Sequence, residues 1–408
     1  MFPYKNFIRK NGFIPVALVF GAEWVNGLAI IRALGEKRVN IYALSKYANA
    51  IGFYSRYIKN YIIHPDPYKN PKLFLEVMIN TGEKLLNKNE KGVIFPVSDL
   101  EVKLLTENKE KLQKYFIFTF SDIKSTVIRC IDKKYHFENA VKNSVPVPKT
   151  YFPNKLEELY FDLQNNKIDY PILFKARHSL VSNIREKYRV ILIRDQNQLN
   201  KIVKLATKDK VPFLIQEVIP GGDENLYTLG TYMSKKGSFK AIFTGRKLRQ
   251  KPPHFGICRV GESIYSPKII GYGYKLLKAI NFFGISQVEF KYDYRDDEFK
   301  LMEINPRSWS WIGLPVKMGI NIPYIAFCDV LGINEKCPPP HICSKRYLWI
   351  SIEDDILTSI KFKDGFPLKH LLSNMNNLCE AYFSLKDPIP WVYHINELMS
   401  NMIKRYAN

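Results

Sequence analysis

The sequence contains no stretch that approaches the run of about 18 apolar residues needed to span a membrane. Its six cysteines are scattered, and none forms a C-x-x-C pair or a cysteine–histidine cluster with zinc spacing. A P-loop and a G-x-S-x-G nucleophile motif are also missing. These absences argue against a membrane-spanning protein, a zinc-binding module, a P-loop NTPase and an α/β-hydrolase. We therefore expect a cytoplasmic protein whose cysteines are reduced.

Acidic residues are scarce beside basic ones, with 39 Asp and Glu against 61 Lys and Arg and a formal net charge of +22. Such an excess would attract nucleic acid, an anionic membrane surface or a polyanionic substrate. The chain is also rich in Lys, Asn, Ile and Tyr together, as AT-rich coding produces, and we attribute most of the charge to this bias. The apolar share of 46% is ordinary for a globular protein, and the 408 residues predict two or three domains.

The predicted strands and helices divide the chain into three parts. A buried strand at residues 14–20, a helix and a second strand at residues 39–44 form a βαβ opening. This opening predicts a doubly wound α/β domain over residues 1–125. Residues 126–330 contain strands that mostly lack intervening helices, which indicates an α+β domain with antiparallel sheets. The last part, residues 331–408, is predicted to be a helical extension.

The clearest chemical signal is a predicted β-hairpin whose two arms alternate apolar and polar residues. A turn centred on Asp296 pairs Glu289 with Glu303 directly across the hairpin, with their Cβ atoms about 5 Å apart. Asn305 faces the same side because strand side chains alternate. Like charges placed opposite each other destabilise a sheet unless a hard divalent cation neutralises them. The hairpin therefore predicts a metal site, and the alternative is a pair of solvated acids on an exposed face.

Four further signals place cations or a sharp bend where an anionic ligand could bind. Arg307 follows the hairpin and could reach an anion held by the metal. Lys175 ends a buried strand, where its ammonium is costly unless it meets an anion. Residues 246–251 carry four cations at a strand exit, which could bind a triphosphate or a carboxylate. The apolar strand that enters a Pro-Gly-Gly bend at residues 220–222 could hold a heterocycle through its backbone. Taken singly, each signal also fits an ordinary surface lysine, cation cluster or loop.

The order of these signals resembles the ATP-grasp superfamily. A strand-end lysine, a Q-E-x-I-P-G hinge, a basic strand and an E-F-K…E-I-N-P-R element follow one another over roughly residues 10–330. Three stretches, at residues 21–27, 54–57 and 386–390, are similar to carboxylate–amine ligases related to D-aspartate ligase. The resemblance implies an α/β plus α+β architecture. In it, ATP lies between two antiparallel sheets and the acceptor binds beside the amino-terminal domain.

The resemblance also implies a set of site residues. The expected ATP contacts are Lys133, Lys134, Lys175, Gln216, Glu217, Ile219, Asp223 and Glu224. One or two Mg²⁺ ions would bind Glu289, Glu303 and Asn305, while Arg307 and Arg246 would steady the transferring phosphoryl group and the acyl intermediate. The family's phosphate lid is usually rich in glycine, which lets backbone amides approach phosphates. The corresponding residues 176–183 contain no glycine, so Arg177 and His178 are candidates to replace those contacts.

The activity that this resemblance implies is an ATP- and Mg²⁺-dependent carboxylate–amine ligase that works through an acyl phosphate. A cell-wall or surface-glycan precursor is a hypothetical substrate. The amine donor is open among an amino acid, ammonia and an amino sugar or other glycan precursor, and a homodimer is possible. One alternative is a bicarbonate-using ATP-grasp enzyme of the carboxylase or carbamoyl-phosphate type. Another is a basic nucleic-acid-binding protein, which would leave the paired glutamates unexplained. A third is peripheral membrane contact through the basic tail at residues 395–406.

Overall fold

The computed structural model describes residues 12–153, 169–178, 188–338, 346–365 and 375–406. Within these ranges the strands form three sheets of five, seven and four strands. No helix in this part of the chain is both long and apolar enough to cross a membrane.

The first sheet is parallel throughout and has the strand order β3-β2-β1-β4-β5. Its strands are β1 (Ile14–Val19), β2 (Asn40–Ser45), β3 (Asn60–Ile63), β4 (Glu90–Phe95) and β5 (Phe116–Phe118). Its helices are α1 (Val25–Gly35), α2 (Pro71–Leu86), α3 (Asp99–Glu107) and α4 (Lys109–Leu112). Five of the six residues of β1 are buried, as expected for a strand covered on both faces. The predicted doubly wound α/β domain is confirmed.

The strand order of this sheet reverses next to β1, which lies between β2 and β4. Loops at the carboxyl ends of β1 and β4 therefore diverge and leave a crevice, the usual ligand position in an open α/β sheet. Glu23 and Trp24 lie in the loop after β1 and Asn26 in the first turn of α1, while Ser98 caps α3 after β4 and Asp99 is the first residue of that helix. The polar residues of both loops are thus brought to one edge of the sheet.

Two helices, α5 (Lys124–Ile131) and α6 (Lys133–Lys142), lead to a small antiparallel sheet with the order β6-β9-β7-β8. Its strands are β6 (Thr150–Tyr151), β7 (Ile172–Ala176), β8 (Val190–Ile193) and β9 (Phe213–Glu217). Helix α7 (Gln196–Lys208) covers one face and buries Leu199, Val203 and Ala206 against the sheet. Burial of that apolar stripe holds α7 and the four strands together as a unit.

The central sheet has the order β14-β13-β10-β11-β12-β15-β16. Its strands are β10 (Leu226–Met233), β11 (Phe239–Lys251), β12 (Ile257–Ser263), β13 (Gly284–Asp293), β14 (Glu298–Asn305), β15 (Leu348–Ile350) and β16 (Leu378–Glu380). Helices α8 (Pro267–Ala279), α9 (Gly313–Lys317) and α10 (Ile322–Val330) pack around it. One hydrophobic core joins this sheet to the parallel sheet through Phe243, Trp309 and Trp311. The two bodies on either side of the crevice therefore share a buried apolar interface.

The end of the chain contains helices α11 (Ile352–Phe362) and α12 (Ile389–Tyr406), as predicted. It also contains β15 and β16, which extend the central sheet beyond β12. The sequence analysis missed these strands, because three residues are too few to show a periodic pattern. The boundaries near residues 125 and 330 stay predictions.

A pair of glycines in α8 offers a test of how closely this helix packs on the central sheet. A Cβ on Gly273 would lie 2.1 Å from Cδ2 of buried Leu229 in β10, whereas a Cβ on Gly271 meets nothing within 4 Å. We expect Gly273→Ala to destabilise the protein by about 1–3 kcal/mol, since the helix has to move outward. Gly271→Ala, the matched control, should be neutral or stabilise by up to about 1 kcal/mol. Urea unfolding measures both, and equal effects would contradict the close approach.

Candidate active site

A cavity of about 1000 Å³ lies where the four-stranded sheet, the central sheet and the carboxyl edge of the parallel sheet meet. Leu173 of β7 and Met302 of β14 supply apolar walls, and Ile219 follows β9. Charged side chains from all three sheets and from α6 line the remainder. The cavity therefore combines an apolar part with a strongly charged part.

The predicted hairpin lines one side of the cavity. Strands β13 and β14 pair Glu289 with Glu303 and Gln287 with Asn305, which confirms the predicted register at the acidic residues. Nearer the turn the register differs, because Asp293 pairs with Glu298 and a bulge follows Glu289. That bulge restores the predicted pairing.

A lysine neutralises each of the two glutamates. The Nζ atom of Lys133, at the start of α6, lies 3.0 Å from Oε1 of Glu303. The Nζ atom of Lys247, on β11, lies 2.6 Å from Oε1 of Glu289. Burial acts to raise the pKa of Glu303, but the Lys133 ammonium outweighs it and holds that pKa well below the usual range. The Glu303 carboxylate is thus ionised and available to a cation.

The donor set suits a hard divalent cation. Within the described ranges no group of three or more His, Cys, Asp or Glu side chains is close enough to hold a metal. The hairpin instead offers two carboxylates and the Asn305 amide on one face, and Mg²⁺ prefers such oxygen ligands. The Asn305 side chain is oriented by two hydrogen bonds, since it donates to Gln287 and accepts from Arg307. These residues fit Mg²⁺.

Arg307 lies between the hairpin and the parallel sheet. Its Nε donates to Oδ1 of Asp99 over 2.9 Å, and its Nη2 donates to Oδ1 of Asn305 over 3.2 Å. Burial opposes the charge of the guanidinium, but the Asp99 carboxylate more than compensates and raises the pKa of Arg307. Arg307 lines the cavity and is held as a fixed positive charge beside the predicted metal ligands.

Lys175 is buried at the end of β7, and its Nζ donates to Oε1 of Gln216 over 2.6 Å. Burial, together with the nearby Lys133 ammonium, lowers the pKa of Lys175 to about 8. Gln216 itself is fully buried and donates to Thr150, so it supports Lys175 from behind and lies outside the cavity lining. Of these two predicted ATP contacts, only Lys175 reaches the cavity.

Other predicted hinge residues have structural partners. Glu217 accepts from the Lys149 backbone and pairs with Arg295, so it points away from the cavity. Asp223 accepts from the backbone N–H groups of Gln250 and His254 and thereby fixes the turn after β11.

Three more predicted residues lie outside the lining, although a neighbour of each is part of it. Glu224, in the turn before β10, does not line the cavity, whereas Gly221 of the preceding bend does. Lys134 pairs with Glu138 on the surface of α6, while its neighbour Lys133 reaches the hairpin. Arg246 pairs with Glu262 over 2.5 Å, while its neighbour Lys247 faces the cavity. Adjacent strand side chains point to opposite faces, so a sequence cluster of cations leaves the choice between neighbours open.

Sequence reasoning named Lys247 only as one of the cations at residues 246–251 and Asp99 only as part of an acceptor-side loop, and it missed Lys291 as a site residue. Lys291 lies two residues after Glu289 on the same strand, which is the spacing that places two side chains on one face. Its Nζ donates to the Gly221 carbonyl over 2.8 Å at the edge of the hinge. The E-F-K motif contained this signal.

Part of the predicted phosphate lid is also defined. Arg177 makes a two-bond contact to Asp132, with N–O distances of 2.7 and 2.6 Å, and His178 lines the cavity. The remaining lid residues, from 179 onward, lie outside the described residues. Arg177 is therefore committed to the Asp132 carboxylate at the start of α6, and only His178 of the pair faces the cavity.

No protein-family model matches the chain. Its structure is similar to N5-carboxyaminoimidazole synthetase from Staphylococcus aureus complexed with ADP, with a TM-score of 0.62, 13% identity and coverage of 86% of both chains. For the L-amino acid ligase from Bacillus licheniformis the TM-score is 0.58 and the sequence identity 14%, and the match covers 79% of this chain and 74% of that one. A third similar structure is the biotin carboxylase domain of Hydrogenobacter thermophilus 2-oxoglutarate carboxylase in complex with MgADP and bicarbonate. Its TM-score is 0.60 and its sequence identity 16%, and the match covers 80% of this chain and 71% of that one. The chain has the ATP-grasp fold.

A relative of this ATP-grasp protein is also found by sequence. The D-aspartate ligase of Enterococcus faecium is 27% identical over 325 residues, covering 74% of this chain and 73% of that protein. The predicted resemblance to carboxylate–amine ligases of this type is confirmed. Both this relative and the solved L-amino acid ligase are ligases, in agreement with the predicted class of enzyme.

Removing Lys247 tests whether the hairpin accepts a divalent cation. We expect Lys247→Met to lower the melting temperature, because it leaves the largely buried Glu289 carboxylate without its ammonium, at a cost of about 1–3 kcal/mol. Millimolar MgCl₂ should then raise the melting temperature of the variant more than that of the wild type, in which the cation has to displace the ammonium. Calorimetry at constant ionic strength measures both shifts.

Arg246→Met is the matched control for this experiment, because Arg246 pairs with buried Glu262 away from the cavity. This variant should also melt at a lower temperature but show no added response to MgCl₂. An equal MgCl₂ response in the two variants would rule out a cation site on the hairpin.

Proposed function

We propose that this ATP-grasp protein is an ATP- and Mg²⁺-dependent carboxylate–amine ligase that works through an acyl phosphate. The observation that carries the proposal is the pairing of Glu289 and Glu303 across one hairpin, with Lys133, Lys247 and Lys175 around them. Carboxylates that bind Mg²⁺ and ammonium groups that bind phosphates are the two charge types that a magnesium–triphosphate complex requires.

The nucleotide would occupy the hinge side of the cavity. Leu173, Ile219 and Met302 supply apolar surface for a flat base, and the backbone at the end of β9 supplies hydrogen-bonding groups. Lys291, anchored to the Gly221 carbonyl, adds a cation at the edge of the hinge. Lys133 and Lys175 would then hold the phosphates, while Glu289, Glu303 and Asn305 would hold one or two Mg²⁺ ions. Bound Mg²⁺ neutralises charge on the phosphate oxygens during transfer.

In the first step a carboxylate oxygen of the substrate attacks the γ-phosphorus of ATP. A new P–O bond forms, the bond to the β–γ bridging oxygen breaks, and ADP leaves behind an acyl phosphate. The charge on the transferring group lies close to Lys133, Lys175 and Lys247, which replace water as its electrostatic partners. Asn305 and Arg307 are held together by their hydrogen bond and so keep a fixed position beside the reacting atoms.

In the second step an amine attacks the activated carbonyl carbon. The C–N bond forms, the C–O bond to the phosphoryl group breaks, and inorganic phosphate leaves while the amine loses a proton to solvent. Arg307 is held by Asp99 beside the crevice of the parallel sheet, and it would stabilise the oxyanion of the tetrahedral intermediate. The carboxylate substrate, which accepts the phosphoryl group, would enter past the loops after β1 and β4, which line this side of the cavity.

The sequence relative supports an amino acid as the carboxylate substrate, and we extend this proposal to an amine on a cell-wall or surface-glycan precursor. The structural neighbours include both an amino acid ligase and a bicarbonate-dependent enzyme, so the fold alone does not separate the two chemistries. The similarity in sequence favours the carboxylate–amine ligase, since the matched relative is a D-aspartate ligase.

The direct test is ADP release from MgATP with D-aspartate, other amino acids of both hands and bicarbonate as separate probes. Hydroxylamine as the amine should yield a hydroxamate of the accepted acid, which reports an acyl phosphate. We expect Glu303→Gln to lower kcat/KM by about 10²–10³-fold, because it removes charge from the metal site. Glu298→Gln is the matched control on the same strand, since Glu298 pairs with Lys268 outside the cavity.

Release of ADP with bicarbonate alone, and no hydroxamate with any acid, would overturn the ligase in favour of the carboxylase alternative. If Glu303→Gln and Glu298→Gln were equally active, the paired glutamates would not be the metal site.

Lys175 predicts a particular pH dependence of ATP binding. Its pKa of about 8 lies below that of a free lysine, so the ammonium that would face the phosphates is lost as the pH rises through 8. We expect the Kd for ATP to weaken by about tenfold from about pH 7 to about pH 9, with proton uptake on binding. Titration calorimetry in two buffers of different ionisation enthalpy measures both. Lys175→Arg stays protonated, so its Kd for ATP should not change over this pH range. The same pH dependence in that variant would show that another group titrates.

A further inference from the structure

The C-terminal segment, residues 346–365 and 375–406, is part of the cavity rather than a separate appendage. Strand β15 lies beside β12 in the central sheet, and Asp354 and Tyr382 line the cavity wall. Tyr382 is held from behind by a stacked contact with His394, with ring centroids 4.0 Å apart. The segment therefore reaches the side of the cavity that faces the parallel sheet.

The strongest contact between this segment and the parallel-sheet body is the buried Asp387, whose exposed fraction is 0%. Its Oδ2 accepts from Arg32 Nε over 3.0 Å and from Ser55 Oγ over 2.9 Å. Its Oδ1 accepts from the backbone N–H of Arg56 over 2.9 Å, and its carbonyl accepts from Arg32 Nη2 over 2.8 Å. Two stretches that the sequence analysis singled out, residues 54–57 and 386–390, are thus in direct contact.

These partners of Asp387 lead to the loop after β1. Arg32 belongs to α1, whose first residues, Val25 and Asn26, end that loop segment. Ser55 follows the short helical turn Ile51–Tyr54, and the Gly52 N–H of that turn donates to the Ala22 carbonyl over 2.7 Å. A Cβ on Gly52 would lie 2.9 Å from the same carbonyl oxygen, so the two backbones are in close contact. Asp387 is therefore linked to both ends of the loop at residues 21–26.

That loop forms the acceptor side of the site. Glu23, Trp24 and Asn26 line the cavity, and Asn26 Nδ2 donates to Ser308 Oγ over 3.4 Å, directly beside Arg307. Its conformation hence affects the contact between the substrate and Arg307. A carboxylate buried with its ion-pair partner also penalises any movement that separates them, because an uncompensated charge would remain inside the protein.

We propose that Asp387 is a positioning residue, which fixes the loop at residues 21–26 for the acceptor-side substrate. The kinetic part of this proposal rests on the proposed ligase function, whereas the structural part does not. Two further contacts support the same interface: Tyr54 stacks on Tyr393 with centroids 3.9 Å apart, and Asn49 donates to Glu397 over 3.0 Å.

Hydrogen exchange of the full chain without ligand tests the structural part. In Asp387→Asn the charge that pairs with Arg32 is lost, and we expect the amides of residues 21–28 and 51–58 to exchange about a hundredfold faster. Lys386→Ala removes the neighbouring surface pair with Glu36 and should change nothing. Asp355→Asn, at the buried contact with Arg249 and Arg259, should affect α11 and leave these amides protected.

Unchanged exchange of residues 21–28 in Asp387→Asn would overturn the proposal. If that variant does not fold, Ser55→Ala, which removes a single bond, should accelerate the same amides by about tenfold, and its failure to do so would be equally decisive. In steady-state kinetics we expect Asp387→Asn to raise KM for the acid probe that the wild type accepts by about tenfold, with KM for ATP unchanged within about twofold. A uniform loss of kcat would indicate a merely structural role.

Hydrogen exchange and steady-state kinetics together distinguish a failure of the positioning role from a failure of the ligase function. If the wild type releases no ADP with any probe, the ligase function fails while the exchange result still decides whether Asp387 fixes the loop. If the wild type is active but Asp387→Asn raises KM for ATP as much as KM for the acid, the positioning role fails and the ligase function remains.

Discussion

The site depends on two like charges placed opposite each other on one pair of strands. Glu289 and Glu303 face each other across β13 and β14, an arrangement that destabilises a sheet unless cations balance it. Lys133 and Lys247 supply that balance from a helix and from a different strand of the central sheet. The charged half of the cavity is assembled around this requirement.

The frame around these charges is rigid for a separate reason. Trp309 and Trp311, which follow the hairpin, pack their indole rings against glycines of the central sheet, where a Cβ on Gly230 would lie 2.1 Å from Trp309. The same two rings belong to the core that continues into the parallel sheet. Arg307 and Asp99 add a partly buried ion pair across this junction. The hinge side of the cavity and the side next to the parallel sheet are consequently built on one continuous core.

The C-terminal segment completes this arrangement from outside. Its strands extend the central sheet, while Asp387 holds the parallel-sheet body through Arg32 and Ser55. Buried charge on this segment is paired at both of its attachments, because Asp355 meets Arg249 and Arg259 at the other end. A segment that looked like an addition to the fold therefore contributes to the cavity wall.

The sequence by itself determined the features that depend on neighbours along the chain. The alternation of strand side chains places Glu289 and Glu303 on their faces, although their direct pairing also needs the bulge after Glu289. The parallel opening follows from continuous apolar runs. Only the tertiary structure decided which cation faces the hairpin. Between Lys247 and Gln250 the pairing of β11 with β12 is irregular, so alternation alone does not identify the inward side chain. Only the tertiary structure identifies the role of Asp387 as well, because its partners lie more than 300 residues away in sequence. Such contacts are set by which strands and helices become neighbours when the core closes, and no local pattern in the chain carries that information.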